Sequence, residues 1–241
     1  PLPASARLAW WGTAWLRGQV VADLAIDAII DADATHTLVG LPDADGTETL
    51  IAGLMRLRSL GARTLGAAFP AEGDPAGLGG PPGFNGDALE AGEAVVVPEA
   101  GLGLVPERTG AVIAWVAHPA ARRQVLDVGA ADRQLRTDLL RAAEALAALD
   151  VARWRPEAAD RLMNLRHLDI PAAPPGIPSR CVELAARALQ ATAIVELALE
   201  DDGGSITSHE IDARRAALVP LARAGRQALV AACSPEAWPP A

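Results

Sequence analysis

Two pairs of carboxylates are the first residues here that suggest chemistry. Asp43 and Asp45 follow a short apolar run at residues 36–41, and Glu72 and Asp74 follow another at residues 64–69. Runs of that length, each stopped by a proline, read as strands. Between them Leu50, Leu54 and Leu57 share one helical face, residues 45–48 resemble a capping box, and Gly61 suits the C-cap. Strand, helix, strand predicts a βαβ unit with adjacent parallel strands and a right-handed crossover. Ligands of open parallel sheets lie beyond the strands' carboxyl ends, so the four carboxylates are expected to gather at one edge. With no cation among them they disfavour a phosphate and favour a cation, an amine or a hydroxylated neutral ligand.

The loop after the second run deepens this reading. Residues 71–83 hold five glycines and three prolines, too many for a helix or strand. Gly77, Gly79, Gly80 and Gly83 match neither the dinucleotide-binding spacing nor a Walker A loop. The loop leads into a short helix ending near Gly92, with Asn85 as its expected N-cap, and helix N-termini present amides to ligands. Gly79, Gly80 and Asn85 therefore join the candidate ligand site. The competing reading is a rigid surface loop with a solvated acidic rim.

A second stretch, residues 199–210, resembles part of an EF-hand calcium loop. Gly204, Ile206 and Glu210 match its sixth, eighth and twelfth positions, and Asp201 the third, with Asp202 beside it. Leu199 replaces the first carboxylate and Gly203 the fifth ligand, and Glu210 already has work in the capping box of residues 207–210. The sequence thus indicates no confident metal site. Among four histidines, His209 opens a His-Glu pair, but Ala213 stands where a zinc-protease motif needs its second histidine. His36, His118 and His167 have no histidine three or four residues away, and no Gly-x-Ser-x-Gly elbow exists. The arginines at 214, 215, 223 and 226 on the last helix are expected to be a solvated face among acids, and no aromatic residues interleave them to stack on bases.

Composition narrows the chemistry further. All 21 basic residues are arginine against 30 acids, a net charge of −9. Without lysine there is no Walker A lysine, no kinase ATP lysine and no Schiff-base anchor for pyridoxal. No cofactor is indicated. Arginine- and alanine-rich, lysine-free usage points to a GC-rich bacterial source. The first 118 residues hold six arginines against fourteen acids, so nucleic acid and anionic membranes should be repelled. No run of 18 uncharged apolar residues exists to span a membrane. Cys181 and Cys233 lie 52 positions apart and read as buried thiols in the cytoplasm.

The elements that must position these groups follow from periodicity. Residues 7–31 read as one helix bent at Gly18, with Trp11 and Trp15 in the core and Asp23, Asp27 and Asp31 as a solvated stripe. Strands are expected at 93–97, 102–105 and 111–117, then helices at 130–149, 156–166, 181–199 and 208–232, with a proline linker at 171–178 and an extended tail from 235. The expected fold is α+β: a small mixed sheet of about four to five strands opened by a βαβ unit, followed by a helical C-terminal half. Residues 1–118 and 119–241 should form two subdomains packed as one unit. The sequence leaves function unknown. It favours a non-enzymatic soluble binding or assembly protein, using exposed parts of the tryptophan helix or the helical hairpin, with a protein partner or a second copy. The alternative is a small-molecule or cation-dependent enzyme or sensor at the acidic sheet edge.

Overall fold

The computed structural model describes residues 1–121, 123–148, 170–200 and 208–238. The α+β class holds: among the described residues every strand lies before residue 120, interspersed with helices, and only helices follow. The first helical stretch is two helices, α1 (Ala4–Leu16) and α2 (Ala22–Ile30). Gly18 turns the chain at φ 72°, where its amide and that of Gln19 close on Trp15 O and Ala14 O. Glycine adopts that conformation without a Cβ clash, so a break replaces the expected bend. α1 is buried along nearly its whole length, including Trp10, Trp11 and Trp15. Asp23, Asp27 and Asp31 are exposed, as a solvated stripe requires.

The sheet has six strands: β1 (Thr35–Val39), β2 (Thr47–Thr49), β3 (Gly66–Ala68), β4 (Ala94–Val97), β5 (Leu102–Thr109) and β6 (Val112–Pro119). Their order is β2-β1-β6-β5-β4-β3. Only β1 and β6 pair parallel; every other pairing is antiparallel. The expected βαβ unit is therefore corrected. β1 and β3 are separated by three strands and run in opposite directions. The reason is local: Thr47–Thr49 turns back on β1 as a hairpin, with Thr37 opposite Thr49. The helix that follows, α3 (Leu50–Ser59), starts at Thr49, whose hydroxyl accepts from Ala52 N, rather than at a capping box over 45–48.

Side chains alternate across the sheet as pleating demands. Leu38, Ile113, Trp115, Leu104 and Val95 join α1 and α3 in the main core, and His36 is buried on β1. The other face has a smaller core of Ala68, Phe84, Ala88, Ala94, Val96 and Val105, closed by α4 (Pro82–Ala91). α4 begins earlier than expected, with Pro82 at its first turn, and ends at Gly92 with φ 73°. The C-terminal half packs α5 (Val128–Ala148), α6 (Ser179–Glu200) and α7 (Ser208–Ala232) against one another. Small residues such as Ala185, Ala188, Ala224 and Ala228 fill the core there.

The two halves are stitched directly. Cys233 O accepts from Ala67 N at the free edge of β3, and Ala232 O accepts from both indoles, Trp10 at 3.1 Å and Trp238 at 3.0 Å. The tail is thus not a surface strand over 235–238: it forms a short 3-10 turn, and Ala237 is buried. The helix expected at 156–166 lies outside the described residues.

Candidate functional site

The Gly-rich loop takes its shape from its own backbone. Ala71 and Asp74 exchange N–H···O bonds across Glu72 and Gly73, and Ala76 O accepts from Phe69 N. Asn85 is no N-cap: it lies within α4, and its Oδ1 accepts from Gly80 N at 3.0 Å, fastening the loop to the helix.

Asp74 is buried, and both of its oxygens face arginines of α7. Arg226 Nη2 lies 2.9 Å from Oδ2, and Arg223 Nε lies 3.4 Å from Oδ1. The arginine face of α7 is thus partly spent inside the molecule rather than solvated. Beside it Arg123 has a side chain only 1 % exposed. Its Nη1 donates to Ala67 O at 2.5 Å and Gly77 O at 3.1 Å, its Nη2 to Ser234 Oγ at 2.7 Å, and its Nε to Glu236 Oε1 at 2.9 Å. Burial lowers the Arg123 pKa while Glu236 raises it. Gly66 leaves room for this guanidinium, because a Cβ there would lie 1.9 Å from Nη2.

These residues border a cleft of about 520 Å³ between the loop, residues 123–126 and α7. Asp74, Arg123, Arg223, Gln124 and Gln227 line it with Leu78, Val125, Leu126 and Val230. Of the sequence candidates, Asp74 and Gly79 line the cleft, while Gly80 and Asn85 bond to each other outside its lining. Glu72 is exposed at the tip of its turn. Asp43 and Asp45 are exposed in the β1–β2 connection, which leaves the opposite end of the sheet because β1 and β3 run oppositely. The four carboxylates do not converge, and the expectation of a cation-free acidic edge fails with them. Asp201, Asp202 and the Glu210 side chain of the EF-hand-like loop lie outside the described residues.

A second polar cluster surrounds a buried histidine. His36 is buried on β1; its Nε2 is 3.0 Å from Asp33 Oδ2, and Trp115 Nε1 donates to its Nδ1 at 3.3 Å. The indole donor leaves Nδ1 as acceptor, so Nε2 carries the proton toward Asp33. Burial pushes the imidazole pKa below its ordinary value against the pull of Asp33. Burial alone would raise Asp33, but the His36 hydrogen bond, with Arg7 and Arg108, holds it below the usual carboxylate range. Both cysteines are free and buried, and burial pushes the Cys181 thiol up to about 11. A thiol so raised is a poor nucleophile.

Sequence reasoning missed Arg123 and the pairing of Asp74 with α7. Arg123 reaches a partner 56 positions away and Arg226 one 152 away; the lone local signal was the small residue at Gly66 and at Gly77.

Comparison with known proteins matches a model of the Rv1486c-like protein N-terminal domain over residues 5–128 and one of its C-terminal domain over residues 129–230. The uncharacterised protein Rv1486c of Mycobacterium tuberculosis is 31% identical, the match covering 98% of each chain. An uncharacterised protein of Mycobacterium avium is 32% identical over 74% of each chain. Mycobacterial relatives agree with the arginine-rich, lysine-free usage. No solved structure matches the chain.

Proposed function

The chain belongs to the Rv1486c-like protein family, and from that premise we propose that it is a non-enzymatic binding protein of the cytoplasm whose site is the cleft between the Gly-rich loop and α7. One observation carries the reading. Asp74, the site's carboxylate, has both oxygens engaged by Arg226 at 2.9 Å and Arg223 at 3.4 Å. Charges engaged with each other shape a site rather than drive a proton transfer. What they leave for a ligand is an apolar wall of Leu78, Val125, Leu126 and Val230 with the amides of Gln124 and Gln227. That lining suits a small molecule with an apolar body and neutral hydrogen-bonding groups. Two free, buried thiols support a reducing compartment. No helix among the described residues is long and apolar enough to cross a membrane.

A second reading, docking of a protein or of another copy, draws on Leu140 of α5 and Val219 of α7, which are 65 % and 57 % exposed. Thermal shift against amides, polyols, amines and divalent cations separates the two. The cleft reading expects a neutral ligand to raise the melting temperature and Leu126→Asp to abolish the rise. No response to any ligand, with stability that grows with protein concentration, would favour association instead.

A further inference from the structure

The first 118 residues hold six arginines, and the structure sorts them into two groups. Arg7, Arg56 and Arg108 meet carboxylates: Asp33 at 2.5 Å, Glu48 at 2.5 Å and Glu93 at 3.0 Å. Arg17, Arg58 and Arg63 form no ion pair among the described residues, and all three are exposed on one cleft of about 710 Å³. A smaller hollow of about 430 Å³ shares Arg17, Thr64 and Glu99 with it. In a chain of net charge −9, three unneutralised cations on one hollow need a reason.

Helix ends account for part of it. Arg17 caps α1, and Arg58 lies in the last turn of α3, so both face the negative poles of helices. Two such poles offset roughly one positive charge, and Glu99 offsets another. A positive excess remains, and Arg63, beyond α3, caps no helix. Glu99 is itself occupied: its Oε1 accepts from Thr64 Oγ1 at 2.7 Å.

Two of the three cations are also held in position. The Arg58 guanidinium lies 3.6 Å over the Trp15 ring, and its Nη2 donates to Trp15 O at 2.7 Å. Arg17 lies 5.6 Å from the Trp238 ring. Guanidinium groups stacked on indoles lose less freedom when an anion arrives, and their planar forks match phosphate oxygens. A long polyanion would reach past the cleft to a surface where fourteen acids outnumber six arginines, which disfavours nucleic acid.

We propose that this cleft binds a phosphorylated small molecule, gripping its phosphate or pyrophosphate group between Arg17, Arg58 and Arg63. It is separate from the cleft at Asp74 and does not depend on that reading. Titration calorimetry of the full chain with inorganic pyrophosphate at low ionic strength tests it. The expected result is one site, with Arg63→Gln and Arg17→Gln each weakening binding about tenfold, the usual cost of losing a charge-assisted contact. Arg215→Gln, an exposed arginine of α7, and Leu126→Asp at the other cleft should leave binding unchanged. The proposal is overturned by absence of pyrophosphate binding, by insensitivity to Arg63→Gln, or by an equal loss in Arg215→Gln, which would mark diffuse counter-ion attraction. If Arg17→Gln does not fold by circular dichroism, Arg63→Gln alone decides, since the Arg63 side chain has no partner among the described residues to lose.

Discussion

Arg123 shows what a single buried cation demands. Four acceptors surround it, and removing the guanidinium would leave Ala67 O, Gly77 O and Ser234 Oγ without that donor. Arg123→Met should therefore cost about 3–5 kcal/mol of folding free energy by urea denaturation; a loss under about 1 kcal/mol would mean the network contributes no more than a surface pair. His36 makes a pH prediction. Its folded pKa lies below its unfolded value near 6.5, so the unfolded chain binds the extra proton first. Its contribution is complete above pH ~6.5 and is lost as the pH falls below it. Asp33, also lowered, adds a further loss under more acid conditions, as the pH falls below its unfolded value of about 4. Stability measured against pH should slope downward below ~6.5, and His36→Gln should flatten that part of the slope.

Among the elements, α4 depends on a missing side chain. Gly103 of β5 faces Phe84, and a Cβ there would stand 2.3 Å from the ring. Gly103→Ala should cost about 1–3 kcal/mol through overpacking, read as a lower melting temperature. Adding Phe84→Leu should recover part of the loss, because the two sites are in contact; simple additivity would count against the contact. The elements themselves were largely legible. Leucine periodicity marked α3 and α5, the hairpin of α6 and α7 was read with a capping box at 207–210 opening α7, and apolar runs marked all the strands but β2. Thr47–Thr49 was the exception: three polar-flanked residues carry no alternation, so their pairing with β1 was decided across the hairpin.

At the scale of the whole molecule, the N-terminal sheet and the C-terminal helices share bonds through Cys233 O, Ala232 O, Arg123 and Asp74. We expect them to unfold together, in one calorimetric transition whose van't Hoff and calorimetric enthalpies agree. Two separated transitions would argue for independent halves. Asp74→Asn should lower the midpoint by weakening the contact with Arg226 while leaving a single transition.

The sequence by itself determined the α+β class, the helical second half, the buried tryptophans of α1 and the buried thiols, because periodicity and apolar content act locally or through composition. The candidate site was only half legible. Asp74 and Gly79 were found by loop context, yet the loop's cations come from α7 and Arg123, and Asp43 and Asp45 leave the opposite end of the sheet. Strand order and direction decided both points. They arise from pairing between residues far apart in the chain, which no local pattern encodes, and they split an expected acidic edge between two ends of the sheet, leaving Asp74 alone of the four carboxylates in a cleft, paired with arginines.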